Sequence, residues 1–111
     1  MKVYIAGPYS APTEEARLAN TMRAIEAHIE LMQKGHQPFC PHLCFFTEEH
    51  ARDLGIEFTY EQWFKCSVVY LRHCDAFLHL AHSPGADREL EMAMAIGLPV
   101  YLTTEAVPDA H

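Results

Sequence analysis

The residues of this chain best suited to chemistry crowd into one stretch, Ser83-Pro84-Gly85-Ala86-Asp87-Arg88-Glu89-Leu90-Glu91. The apolar spacing that follows predicts a helix from about Asp87 to Ile96, closed by Gly97. Ser83 and Gly85 then stand just before a helix start, where backbone N–H groups lack intrahelical acceptors and favour an anion. Glu89 falls in the expected first turn, where the positive end of the helix dipole favours its ionised form. An ionised carboxylate beside a ligand crevice can act as a nucleophile or stabilise an oxocarbenium ion. The plainer reading is an acidic residue decorating a helix amino terminus. Glu91 lies about 200° further round the helix, so the two carboxylates do not form a pair.

Two other stretches carry reactive or ligating residue types. Ala6-Gly7-Pro8-Tyr9-Ser10 offers one glycine where backbone can approach a ligand closely. It is neither the dinucleotide fingerprint GxGxxG nor the phosphate loop GxxxxGK[ST], so both of those readings fail, and a tight strand-to-helix turn is the plainer one. Cys40-Pro41-His42-Leu43-Cys44, with His36 and His50 nearby, brings thiols and imidazoles together, but CxHxC is not a usual zinc spacing. No metal is expected there. His42 is either a structural histidine or a sugar or phosphate contact at a strand end. The eight histidines are scattered, and no Cys-His-Asp order supports a thiol nucleophile. Tyr9, Phe39, Phe45 and Phe46 either stack on a base or pack into the core. Asp75 reads as a cap or loop-orienting residue.

The elements that must position these groups alternate. Val3 to Ala6 is an apolar run ending at a Gly-Pro turn, a first strand. Thr13 to Lys34 reads as a helix, with Leu18, Met22, Ile25, Ile29 and Met32 forming an apolar stripe expected to face the core. A second strand covers Gln37 to Cys40, and an irregular stretch with room for one further helix runs on through Gly55. Thr59 and Gln62 form a possible capping box opening a helix to about Arg72, expected to bury Trp63, Cys66, Tyr70 and Val69. Strands at Asp75 to Leu80 and Val100 to Leu102 flank the Asp87–Ile96 helix, and the tail from Thr103 is expected to be loose. The order is an α/β pattern. It implies a Rossmann- or flavodoxin-like three-layer sandwich on a four- to five-stranded, mostly parallel sheet, one domain over residues 1–111. In such sheets ligands bind beyond the carboxyl ends of the strands, which selects Gly7–Ser10, Cys40–Cys44 and Ala81–Glu89.

Composition narrows the partners. The chain has 111 residues, half of them apolar, with eight basic against fifteen acidic side chains and a formal net charge of −7. That balance argues against a polymeric nucleic acid, whose binding rests on cations displacing counterions. A small anion held by backbone amides remains compatible with it. No apolar run reaches transmembrane length, and the chain enters its first strand at once, so no membrane association and a reduced, cytoplasmic setting with four free thiols are expected.

Taken together, these spacings resemble the nucleoside 2-deoxyribosyltransferase-like superfamily, including its nucleotide N-glycosidase branch, from Lys2 to Leu102. Lys2-Val3-Tyr4-Ile5-Ala6-Gly7-Pro8-Tyr9-Ser10 resembles the family's opening strand and turn, and Gln37-Pro38-Phe39-Cys40-Pro41-His42-Leu43 the segment around its second strand. Cys74-Asp75-Ala76-Phe77-Leu78 is similar to the start of a later strand. Gly85-Ala86-Asp87-Arg88-Glu89-Leu90-Glu91-Met92-Ala93 matches a GxxxExxxA pattern, followed by Gly97-Leu98-Pro99-Val100. The resemblance implies that Glu89 is the nucleophile, that Tyr4 positions it or the sugar, and that Ser83 contacts a phosphate. With the strand-end positions, the expected substrate-contacting residues are Gly7, Pro8, Tyr9, Ser10, His42, Ser83 and Gly85. The implied reaction breaks the N-glycosidic bond of a nucleoside or its 5′-monophosphate, without a cofactor, in a homodimer or larger homo-oligomer. One position departs from the pattern: Ser67 stands where many relatives carry an aspartate, with Glu57 and Glu61 as the other carboxylates nearby. A nucleotide-binding or sensing protein without turnover is therefore the competing reading.

Overall fold

Strand β1 (Lys2–Ala6) is buried on both faces from Val3 to Ala6, as a central parallel strand must be. In the computed structural model, which describes all 111 residues, it pairs with β2 (Gln37–Phe39) on one side and β3 (Ala76–His79) on the other. Strand β4 (Val100–Tyr101) adds to β3, giving a four-stranded sheet of order β2-β1-β3-β4 with every pairing parallel. The register sets Val3 beside Ala76 and Ala6 beside His79. The two-residue period then divides the side chains between the faces. Val3, Ile5, Ala76 and Leu78 join a core under α1 (Glu14–Gln33), while Tyr4, Ala6 and Phe77 join one under α4 (Pro84–Ala95). The expected α/β three-layer architecture is what the chain adopts, and the strand order is flavodoxin-like. Its switch point lies between β1 and β3.

Helix α1 occupies the expected span, capped by Thr13 and stopped at Gly35, whose φ of +90° ends the helix in the left-handed conformation. Its buried face is not the expected one. Thr21, Ala24, Ala27 and Leu31 meet the sheet, whereas Leu18, Met22, Ile29 and Met32 are 38% to 58% exposed. Small side chains let the helix backbone lie close to the sheet, and the larger apolar stripe is rotated about 120° away.

Residues 41–55 form a 3-10 turn at Pro41–Leu43 and helix α2 (Cys44–Asp53) rather than an irregular stretch. The capping box of Thr59 and Gln62 is formed and opens α3 (Tyr60–Val68), but the helix ends four residues short of Arg72. A separate 3-10 turn at Leu71–His73 follows. Phe64 and Leu71 are therefore buried, while Cys66, Val69 and Tyr70 are exposed and Trp63 is half-buried. The tail is docked rather than loose. Val107 is fully buried in the α1-side core, and the Lys34 ammonium donates to the carbonyls of Thr104 (2.8 Å) and Val107 (2.6 Å). No helix is long and apolar enough to cross a membrane. All four cysteines are unpaired thiols.

Candidate active site at the switch point

The loops leaving β1 and β3 part at the switch point, and a cleft of about 700 Å³ opens between them. Helix α4 starts at Pro84, three residues earlier than its apolar spacing suggests, because Ser83 is its cap: the Ser83 hydroxyl accepts from the Ala86 amide at 3.1 Å. Proline at the first helical position fits that start. Gly85 lies under Tyr60, whose hydroxyl oxygen would be 3.0 Å from an added Cβ, so a larger residue there would push on the start of α3.

The earlier start moves Glu89 into the second turn, away from the dipole's positive end, and over Tyr4. The Tyr4 hydroxyl donates to Glu89 Oε2. Tyr4 is fully buried, stacked on Phe77 at 5.8 Å and tilted against Phe39 at 5.5 Å, so its phenol is fixed in place. Burial raises the Tyr4 phenol far above its ordinary value, with the Glu89 charge adding to the effect; Tyr4 is therefore a permanent donor. The expectation that the helix dipole keeps Glu89 fully ionised is not met. Burial pushes its carboxyl up from 4.5 to about 7, against the Tyr4 hydrogen bond and the Arg88 charge, which both lower it. A carboxyl poised there can be either charged or neutral at working pH.

Gly7, Tyr9, Ser10, His42, Ser83, Gly85 and Glu89 all line the cleft. Tyr4 sits beneath it as Glu89's partner, and Pro8 enters through its carbonyl. Buried His42 donates from Nε2 to the carbonyls of Gly7 (3.1 Å) and Pro8 (3.2 Å), which ties the β1 loop to the 3-10 turn after β2. Burial lowers its pKa, and the neutral ring leaves Nδ1 buried without a partner. Ser67 is also at the cleft, close to the Tyr4 hydroxyl, with its own hydroxyl donating to the Trp63 carbonyl at 3.1 Å. Cys40 and Cys44 are held at about 11 by burial, so neither supplies a thiolate near neutral pH.

Three arginines of the cleft were not singled out as site residues from sequence. Arg52 is paired with Glu48 and Glu49 at 2.7 Å each, and Arg88 with Glu61 at 2.7 Å while lying 3.8 Å over the Phe64 ring. Arg17 differs. It makes no salt bridge, donates only to the Ala11 carbonyl at 3.2 Å, and keeps its buried Nε without a partner. Its signal in the sequence was position alone, one turn into the helix that follows the β1 loop. Glu48 accepts from the Tyr9 hydroxyl at 3.1 Å and sits on α2, which residue pattern alone does not separate from an irregular stretch.

The four-stranded parallel sheet of this order is a flavodoxin-like α/β fold, the fold that a 2-deoxyribosyltransferase also has. The chain matches the family described as a domain of unknown function, DUF7768, over residues 1–103, and it belongs to that family. Among solved structures it is similar to the 2-deoxyribosyltransferase from the psychrotolerant bacterium Bacillus psychrosaccharolyticus, characterised as a biocatalyst for synthesis of antiviral and antitumoral nucleosides. The two share 23% identity and a TM-score of 0.63 over 92% of this chain and 71% of that one. No curated protein matches the chain.

Proposed function

We propose that this protein cleaves or exchanges the N-glycosidic bond of a nucleoside or nucleoside 5′-monophosphate, with Glu89 as nucleophile. The observation that carries the reading is the Tyr4–Glu89 pair, a buried carboxyl held at about 7 on the cleft side of the switch point. Ionised Glu89 forms a bond to C1′ as the C1′–N bond breaks, and the base leaves with the electron pair. Tyr4 keeps its proton and holds the attacking oxygens in line. The base takes up a proton from water or a cleft acid. Water then resolves the glycosyl ester in a hydrolase, or a second base does so in a transferase, and Glu89 is restored.

The unpaired Arg17, the Gly85 amide and the Ser83 hydroxyl supply the anion-holding groups that a 5′-phosphate needs. His42 holds the β1 loop in place through its hydrogen bonds to the Gly7 and Pro8 carbonyls. Gly7, Pro8, Tyr9 and Ser10 shape the opposite wall. A second copy of the chain belongs to this reading. The exposed stripe of Leu18, Met22, Ile29 and Met32 runs the length of a 20-residue helix, and two such helices crossing are self-complementary.

Ser67 favours a second reading, a nucleotide-binding protein without turnover, because its hydroxyl is engaged by the Trp63 carbonyl and offers no acid to the leaving base. Incubation with a panel of nucleosides and 5′-monophosphates, reading released base by chromatography, separates the two. Base release that Glu89→Ala abolishes supports the enzyme; tight binding without release across the panel supports the sensor. Release that Glu89→Ala leaves unchanged removes Glu89 from the mechanism. Adding a second free base distinguishes transferase from hydrolase.

A further inference from the structure

A second cluster of ligating side chains lies on the other side of α4. His79 ends β3 with its ring 3% exposed, His82 follows in the loop, and Asp87 stands in the first turn of α4. His79 Nε2 is 3.0 Å and His82 Nδ1 is 2.9 Å from the same oxygen, Asp87 Oδ1. All three ligand atoms fall within 4.8 Å of one another. None of the three residues lines the cleft, and Asp87 points about 200° round the helix from Glu89.

The cluster is built on rigid parts. The His79 ring is held by the sheet and stacked on Phe77 at 6.3 Å, and the His82 ring meets it edge-on at 4.8 Å. Asp87 is fixed by its helix. A carboxylate can only accept, so both imidazoles turn N–H donors toward one oxygen. With each proton moved to the opposite ring nitrogen, His79 Nε2 and His82 Nδ1 present lone pairs, and a divalent cation can take the place of the two hydrogen bonds between them and Asp87. Ligands about 2.0–2.1 Å from a tetrahedral centre lie roughly 3.3 Å apart. Two of the three separations are already near that value, and the third closes by rotating His82, whose side chain is 83% exposed.

We propose that His79, His82 and Asp87 form a binding site for a divalent transition-metal ion of the zinc class. Two imidazoles and one carboxylate suit zinc, nickel, copper or ferrous iron, whereas magnesium and calcium prefer an all-oxygen shell. Three protein ligands leave at least one position for water on the solvent side. The site spans residues 79–87, and Ser83 and Gly85 lie between its second and third ligands. A bound ion therefore braces the loop that starts α4. The proposal stands independently of the glycosidic-bond reading.

The test is titration of the chelator-treated full chain with Zn²⁺ by calorimetry, with Co²⁺ as an optical probe of the coordination sphere. One Zn²⁺ per chain is expected, together with a raised thermal midpoint. His82→Ala and Asp87→Asn should each weaken binding by about tenfold or more, because even outer-shell partners of a metal matter on that scale. Both are substitutions at solvent-facing side chains and should leave the circular dichroism spectrum unchanged. Exposed His73 lies outside the cluster, and His73→Ala should bind as the unmodified chain does. Glu89→Gln should also bind normally, which separates this site from the fate of the proposed activity. Absence of stoichiometric Zn²⁺ binding would overturn the proposal. So would binding that survives both ligand substitutions unchanged, since it would then belong to scattered surface histidines.

Discussion

Replacing Glu89 by glutamine keeps the shape of the side chain and its acceptance of the Tyr4 hydrogen bond, and removes the titration. The folded-state carboxyl is raised from 4.5 to about 7, so between those values the folded chain binds the proton more readily than the unfolded one. Stability therefore falls as pH rises through that window, and the loss is complete above about 7. The gap corresponds to roughly 3 kcal/mol, about 1.4 kcal/mol for each tenfold change in proton affinity. Glu89→Gln escapes this loss. Urea unfolding at pH 5 and pH 8 should show the variant within about 1 kcal/mol of the unmodified chain at the lower pH and roughly 3 kcal/mol more stable at the higher. Base release should meanwhile vanish, since an amide cannot attack C1′. A variant whose advantage fails to grow between the two pH values would refute the claim that burial holds the carboxyl up. The picture of a poised nucleophile would then fall with it.

Tyr4→Phe removes a hydrogen bond that lowers the Glu89 pKa, so the rising limb of base release against pH should move above about 7, with the buried ring still packed. Arg17→Ala should raise KM for a 5′-monophosphate about tenfold or more while leaving the matching nucleoside nearly unaffected, the split expected of a charge-assisted phosphate contact. Val107→Ala opens a cavity beside Val3 and Leu31 and should cost about 2 kcal/mol in chemical denaturation, whereas a loose tail would show no change. Met22→Glu with Ile29→Glu places charges on the exposed stripe of α1; sedimentation should find monomers where the unmodified chain gives a dimer or larger, with stability little altered.

Strand positions and helix stops were readable because they rest on local chemistry. The β1 run, the Gly35 and Gly97 stops and the Thr59–Gln62 box each declare themselves within a few residues. The switch-point rule then located the cleft from strand order alone. What escaped was whatever the tertiary fold decides. Periodicity finds the apolar stripe of α1 but cannot know that the sheet selects the smaller residues Thr21, Ala24 and Ala27 for close approach. Ser83 and Pro84 read as loop in the sequence but are the cap and first residue of α4, a shift of three residues that takes Glu89 out of the first turn. The pairing of Tyr4 with Glu89 spans 85 positions, and it was expected through family resemblance rather than through any local pattern. Arg17 is an ordinary arginine early in a helix by sequence, and only the fold shows its Nε buried without a partner.

The docked segment after β4 bears on how this chain comes to be folded during synthesis. Lys34 closes α1 by reaching carbonyls 70 and 73 positions later, and Val107 completes a core whose other members include Val3 and Ile5. A nascent chain that has emerged only as far as β4 holds all four strands yet leaves that side of the sheet unsealed. In that state the α1-side core lacks Val107, and the Lys34 ammonium lacks the carbonyls of Thr104 and Val107. Fragments cut just after β4 should accordingly inherit that unsealed state permanently.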